Sequence, residues 1–201
     1  MTAIHPLSSY AAKSDQTYPD VQVVGRALAV EKQYHKFSAA HFLIFDDGTA
    51  ERLHGHNYRV AAELETEPGQ GLVLDFKVFK ALIDVAIADL DERLLLPAKH
   101  PELRLSRFGE SLEVRYRERR YVVPAAETLV LPIGNTSVEE LAQWIGERVA
   151  NGLVHAGAPR CGRLTLSVEE TDGQRGRVTL QFGMAMQSSA SRGWSTAEVP
   201  S

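Results

Sequence analysis

The sequence predicts an α+β domain, built as an antiparallel sheet with two helices packed on one face and an inserted β-ribbon. Three observations carry this expectation. Period-two apolar alternation marks residues 26–66 and 163–182, helical apolar spacing marks 76–90 and 138–149, and a charge-rich alternating stretch, 98–134, separates the two helices. Each helix has one apolar stripe, and a stripe of that kind needs a sheet to cover it.

The 201 residues suit one domain, expected over 21–183, with the ribbon as an insertion. Residues 1–20 mix Ser, Pro, Asp and Lys without apolar period and are read as a flexible leader. Residues 184–201 are small and polar and are read as a flexible tail. Lys and Arg total 22 against 26 Asp and Glu, a net charge of −4 that argues against nucleic acid or an anionic membrane as the main partner. With Cys161 as the single cysteine, no internal disulfide can form. The chain also has neither a long apolar run nor a signal-peptide pattern, so a cytoplasmic protein is expected.

In order along the chain, Arg26 to Phe42 reads as one long strand with His35, Phe37, Ala39 and His41 on one side. His35 shares the parity of His41 but lies roughly 20 Å from it along an extended strand, which assigns it a surface or pocket-rim place. Asp46-Asp47-Gly48-Thr49 is a turn. A strand then runs to about Thr66, and Glu67 to Gly71 turn it back into Leu72-Val73-Leu74 as a hairpin. Asp75 caps a first helix whose apolar face is Phe76, Phe79, Leu82, Ile83, Ala86, Ile87 and Leu90, closed by Leu90 to Arg93 ahead of Pro97.

Leu112 to Val123 alternates apolar with charged residues, as an exposed two-stranded ribbon would, with Glu127 to Leu131 as a candidate third piece. Its arginines are either a solvated face or a grip for phosphate. Thr136 and Ser137 offer caps for a second helix with Val138, Leu141, Ala142, Ile145 and Val149 buried, ending at Gly152. Glu139 and Glu140 each stand three residues after a hydroxyl, so capping alone accounts for them.

The chemistry concentrates in Phe37-Ser38-Ala39-Ala40-His41 and Leu53-His54-Gly55-His56-Asn57-Tyr58. His54 and His56 are two apart, so an extended segment sends both rings to one face, within reach of His41 on a neighbouring strand. Three neutral imidazoles suit Zn2+ and leave a coordination position open, the mark of a catalytic site. The alternative is a glycine turn flanked by surface histidines. In the last strand pair, Leu164, Leu166 and Val168 form an apolar face whose next member is Glu170, while Glu169 points the other way. A carboxylate on such a face needs a partner, and a donor pair on a ligand would serve.

These blocks, with Val73-Leu74-Asp75-Phe76, Leu90-Asp91, Glu139-Glu140-Leu141-Ala142 and Val168-Glu169-Glu170-Thr171, resemble the 6-pyruvoyltetrahydropterin and 6-carboxytetrahydropterin synthase family over about residues 27–182. The resemblance implies the tunnelling fold, a ββααββ-type subunit that assembles into a homo-oligomeric ring, commonly a hexamer, with active sites at subunit interfaces. It implies Zn2+ on His41, His54 and His56. It further implies a small-molecule pterin substrate gripped through its N–H and amino groups by Glu170, with Thr171 and Glu139 beside it.

Two features depart from the family. Its members place a cysteine just before the His-Gly-His, where this chain reads Thr49-Ala50-Glu51-Arg52-Leu53, and their Asp-His pair appears here as Asp91-Glu92. The expected function is therefore a zinc-dependent lyase acting on the side chain of 7,8-dihydroneopterin or its triphosphate, by elimination or by retro-aldol-type cleavage, with Glu51 or the Asp91/Glu92 pair moving protons. Some family members use glutamate in place of the cysteine for such cleavage. The alternative is a paralogue that binds zinc and pterin without turnover.

Overall fold

A computed structural model describes residues 22–68, 72–157 and 162–182. The leader, the tail, Cys161 and the centre of the expected hairpin turn lie outside these residues. The elements in order are β1 Arg26–Val30, β2 Lys36–His41, β3 His54–Thr66, α1 Phe76–Ile87, β4 Arg93–Pro97, β5 Arg104–Phe108, β6 Ser111–Tyr116, β7 Arg119–Pro124, β8 Thr128–Leu131, α2 Val138–His155, β9 Gly162–Thr171 and β10 Gln174–Phe182.

The main sheet runs β10-β9-β3-β2-β4-β8, with β1 also paired to β3. β3 organises it: one edge pairs with β9, and the other takes β2 and then β1, all antiparallel. On its inner face Tyr58, Val60, Ala62 and Leu64 alternate with half-buried or exposed residues. With Leu164, Leu166 and Val168 of β9 they meet Phe79, Ile83 and Ala86 of α1 and Leu141, Ala142, Ile145 and Val149 of α2. Both helices thus cover one face, as the apolar stripes require. α2 lies over β9 and β10. Gly176 permits the approach, since a Cβ there would stand 2.6 Å from the Val138 carbonyl carbon and 2.7 Å from the Glu139 nitrogen. Asp75 caps α1 by accepting from the Lys77 N–H, and Ser137 caps α2 by accepting from Glu140.

Several expectations are corrected. The single strand over Arg26 to Phe42 is broken by a turn at residues 31–35, and its halves pair with different parts of β3. That turn carries His35 inside. The ring is fully buried, with Nδ1 2.7 Å from Asp84 Oδ1 of α1, so it lies neither on the surface nor on a pocket rim. Leu72 to Leu74 is not a strand, and no hairpin forms there. α2 continues past Gly152 to His155.

Arg93 to Pro97, a stretch to which the sequence reading assigns no strand, form β4. It pairs parallel with β2 (Ala39 opposite Arg93) and with β8 (Leu94 opposite Thr128), so the otherwise antiparallel sheet ends in two parallel pairs. Residues 128–131 therefore belong to the main sheet and not to the ribbon. The ribbon itself is a three-stranded sheet, β5-β6-β7, exposed along β5 and on one side of β7 but with its middle strand buried. Leu112, Val114 and Tyr116 pack with Phe42, Ile44, Leu96 and Leu103 into a second core. Phe42 and Ile44 lie in the loop that leads to the His-Gly-His, so the ribbon rests directly on the candidate site.

Candidate metal centre and active site

The β2–β3 register sets His41 opposite His54 and Ala39 opposite His56. The three rings converge, with centroids 4.8 Å apart for His41 and His54, 5.3 Å for His41 and His56, and 4.7 Å for His54 and His56. β9 brings Glu170 to the same point: one ligand atom from each of His41, His54, His56 and Glu170 lies within 4.8 Å of the others.

Backbone carbonyls fix two of the rings. His41 Nδ1 donates to the Thr136 carbonyl at 3.1 Å, and His54 Nδ1 donates to the Arg52 carbonyl at 2.7 Å. A carbonyl can only accept, so in the neutral rings the proton sits on Nδ1 and the Nε2 lone pair faces the cluster. His41 Nε2 and His56 Nε2 are buried without a hydrogen-bond partner. Glu170 Oε1 stands 3.0 Å from the first and 3.2 Å from the second. This cluster of lone pairs is one that a cation would satisfy, and burial holds the His41 pKa below its ordinary value, favouring the neutral ligand form. The donor set, three imidazoles with a nearby carboxylate, fits Zn2+.

Tyr58, of the same parity as His54 and His56, donates to Glu170 Oε1 at 3.3 Å. Burial, then the Glu170 charge, push its pKa well up, so it remains a phenol. Sequence parity placed Tyr58 on this face; nothing in the sequence marked the Thr136 carbonyl.

The remaining expected residues are spread around the centre. Glu51 Oε2 lies 3.9 Å from His54 Nε2 and accepts from the Leu43 N–H at 3.2 Å, so the loop folds this carboxylate back beside the histidines. Asp91 is engaged elsewhere, accepting from the Ser38 N–H at 2.7 Å. Glu92 donates its N–H to the Ser38 carbonyl at 2.7 Å and holds a φ of 56°, left-handed for a non-glycine residue. The Asp91 carboxylate and the Glu92 N–H therefore tie the end of α1 to β2. Glu139 is exposed on the first turn of α2, and Thr171 Oγ1 donates to Gln174 Oε1 at 3.0 Å.

A cavity of about 1060 Å³ adjoins the centre. His56, Glu170, Thr171 and Glu92 border it. Much of its wall, however, comes from Ser38, Asn57 and Arg59, which have the opposite strand parity, so it opens mainly on the sheet face away from the helices. Glu139 does not line it.

The sequence profile described as 6-pyruvoyl tetrahydropterin synthase matches residues 29–179. A protein of Methanocaldococcus jannaschii named "Putative 6-carboxy-5,6,7,8-tetrahydropterin synthase" is 30% identical over 141 residues, 69% of this chain and 86% of its own length. The 6-pyruvoyl tetrahydropterin synthases of Plasmodium falciparum and Plasmodium vivax superpose with TM-scores of 0.72 at 25% identity, covering 79% of this chain and 99% of theirs. Two mutants of the P. vivax protein, in which a glutamate named as a catalytic residue becomes alanine or cysteine, share the fold at 24% identity. With three quarters of its length under one family profile and the same tunnelling fold as two of that family's enzymes, the chain belongs to the 6-pyruvoyl tetrahydropterin synthase family.

Proposed function

We propose that the protein is a zinc-dependent lyase that acts on the side chain of 7,8-dihydroneopterin or its triphosphate, with Glu51 as the proton-transferring group. The observation that carries this reading is the Glu51 carboxylate, 3.9 Å from His54 Nε2 on the loop that in cysteine-bearing relatives would hold the thiol. The P. vivax enzyme, in which a glutamate is a catalytic residue, supplies a precedent for a carboxylate at work in this fold.

His41, His54 and His56 would hold the zinc, which when bound acts as a Lewis acid on the substrate hydroxyls. Glu51 takes the hydroxyl proton. Glu170, at the edge between cavity and histidines, anchors the pterin by accepting from its N–H and amino group, with Thr171 beside it. Tyr58, donating to Oε1, holds that carboxylate in place. Asp91 and Glu92 act on backbone geometry, while Glu139 reaches a substrate only across a subunit interface. The active assembly is a homo-oligomeric ring, such as a hexamer, with sites completed between subunits.

A carboxylate base favours retro-aldol cleavage to a 6-hydroxymethylpterin, because a hydroxyl is easier to deprotonate than a carbon acid. The test is to incubate zinc-loaded protein with dihydroneopterin and separately with its triphosphate, then resolve the pterins by chromatography. A 6-hydroxymethyl product is expected. A pyruvoyl or carboxy product would sink the cleavage reading, and tight binding of unchanged pterin would establish the binding paralogue, which the engagement of Asp91 with Ser38 favours.

A further inference from the structure

The loop between β2 and β3, residues 42–53, carries Glu51 and is held from two sides. Within the loop and toward the main sheet its contacts include an isolated bridge between Ile44 and Ala50, the Glu51 N–H to the Leu43 carbonyl at 2.9 Å, the Leu43 N–H to the Glu51 carboxylate at 3.2 Å, the Thr136 hydroxyl to the Phe42 carbonyl at 3.2 Å, and the side chain of Asn135, whose Nδ2 donates to the Ile44 carbonyl at 2.7 Å. The ribbon holds it from the other side. Arg119, the first residue of β7, is half-buried and donates through Nη1 to the Glu51 carbonyl and through Nη2 to the Ala50 carbonyl at 2.6 Å. Tyr116, fully packed in the second core, donates to the Gly48 carbonyl at 2.7 Å. Gly48 sits at a φ of 79°, and any side chain there would collide with the Arg117 guanidinium.

A planar guanidinium that grips two consecutive carbonyls fixes the two peptide planes that meet at the Cα between them. Here that atom is the Cα of Glu51. We infer that Arg119 is a positioning residue: the inserted ribbon uses it to lock the peptides on either side of the Glu51 Cα and so aim the Glu51 carboxylate at the histidine centre. The inference rests on the proposed role of Glu51 for its catalytic consequence, but not for the clamp itself. It also gives one ribbon arginine a task distinct from a solvated face and from a phosphate grip. A lysine, with a single point charge, cannot reproduce the fork.

The test compares wild type, Arg119→Lys and Arg119→Ala as zinc-loaded full-length proteins. In Arg119→Ala, amide hydrogen exchange over residues 48–53 rises by about tenfold or more, as loss of two charge-assisted bonds predicts, while exchange in β3 and α1 and the zinc content stay at wild-type values. On pterin substrate, kcat falls on the order of 10- to 100-fold with KM little changed, guanidinium ion added at low concentration restores part of it, and Arg119→Lys restores little. Unchanged exchange over 48–53, or a loss carried entirely by KM, overturns the inference. If wild type turns over no pterin, the functional reading fails and the exchange measurement alone decides the clamp.

Discussion

At the residue scale, the centre turns on which carboxylate does what. Glu170 touches two histidines and the cavity at once, and its replacement separates the roles open to it. In Glu170→Gln the pterin affinity is expected to fall by roughly tenfold or more, measured by fluorescence titration, with zinc content unchanged. Loss of zinc instead would make Glu170 a fourth ligand. His41 gives a pH dependence. Its pKa in the folded chain lies below the ordinary 6.5, so the unfolded chain binds its proton more readily and stability drops as pH falls through that value. The metal-stripped protein should melt at a lower temperature at pH 5.5 than at pH 7.5, and a flat profile would contradict buried neutral His41. The histidines and Glu170 were readable because period-two parity alone puts them on one face. The Thr136 carbonyl and the Arg119 clamp were not, because a backbone acceptor has no residue signature and a ribbon arginine looks like any surface charge until its loop is in place.

At the element scale, both helices and their caps were legible from stripe and cap residues, whereas two strand features were hidden. The break at residues 31–35, Glu-Lys-Gln-Tyr-His, contains no glycine, proline or asparagine to announce a turn. β4 offers only three leucines between Arg93 and Pro97, too short a run for periodicity to mark as a strand. The ribbon alternates as an exposed one would, but its apolar members found a second core over the loop. The contact of α2 with β10 is tighter than any pattern suggests. Gly176→Ala would push a Cβ into the backbone at Val138, and a stability loss of about 1–3 kcal/mol is expected in urea melts. A loss below this range would mean that α2 yields easily at its first turn.

At the scale of the whole molecule, the main sheet ends in two strands, β8 and β10, each paired on one side only among the described residues, and its cavity opens on the face the helices leave bare. Unpaired edges and a bare sheet face are what a ring of subunits would cover. Light scattering of the purified protein is expected to give a closed homo-oligomer, and a monomer at micromolar concentration would remove the interface from the proposed site. The order of strands in this sheet also constrains how such a chain can be shortened or grafted. β4 and β8 lie side by side and run the same way, so the link between Pro97 and Thr128 must carry the chain back along the full length of a strand, about 13 Å for four residues. A tight turn cannot join them, and parallel neighbours ordinarily need a dozen or more connecting residues. Deleting the ribbon outright would therefore reverse or expel β8; only a replacement long enough to make the return trip would leave the sheet's topology intact.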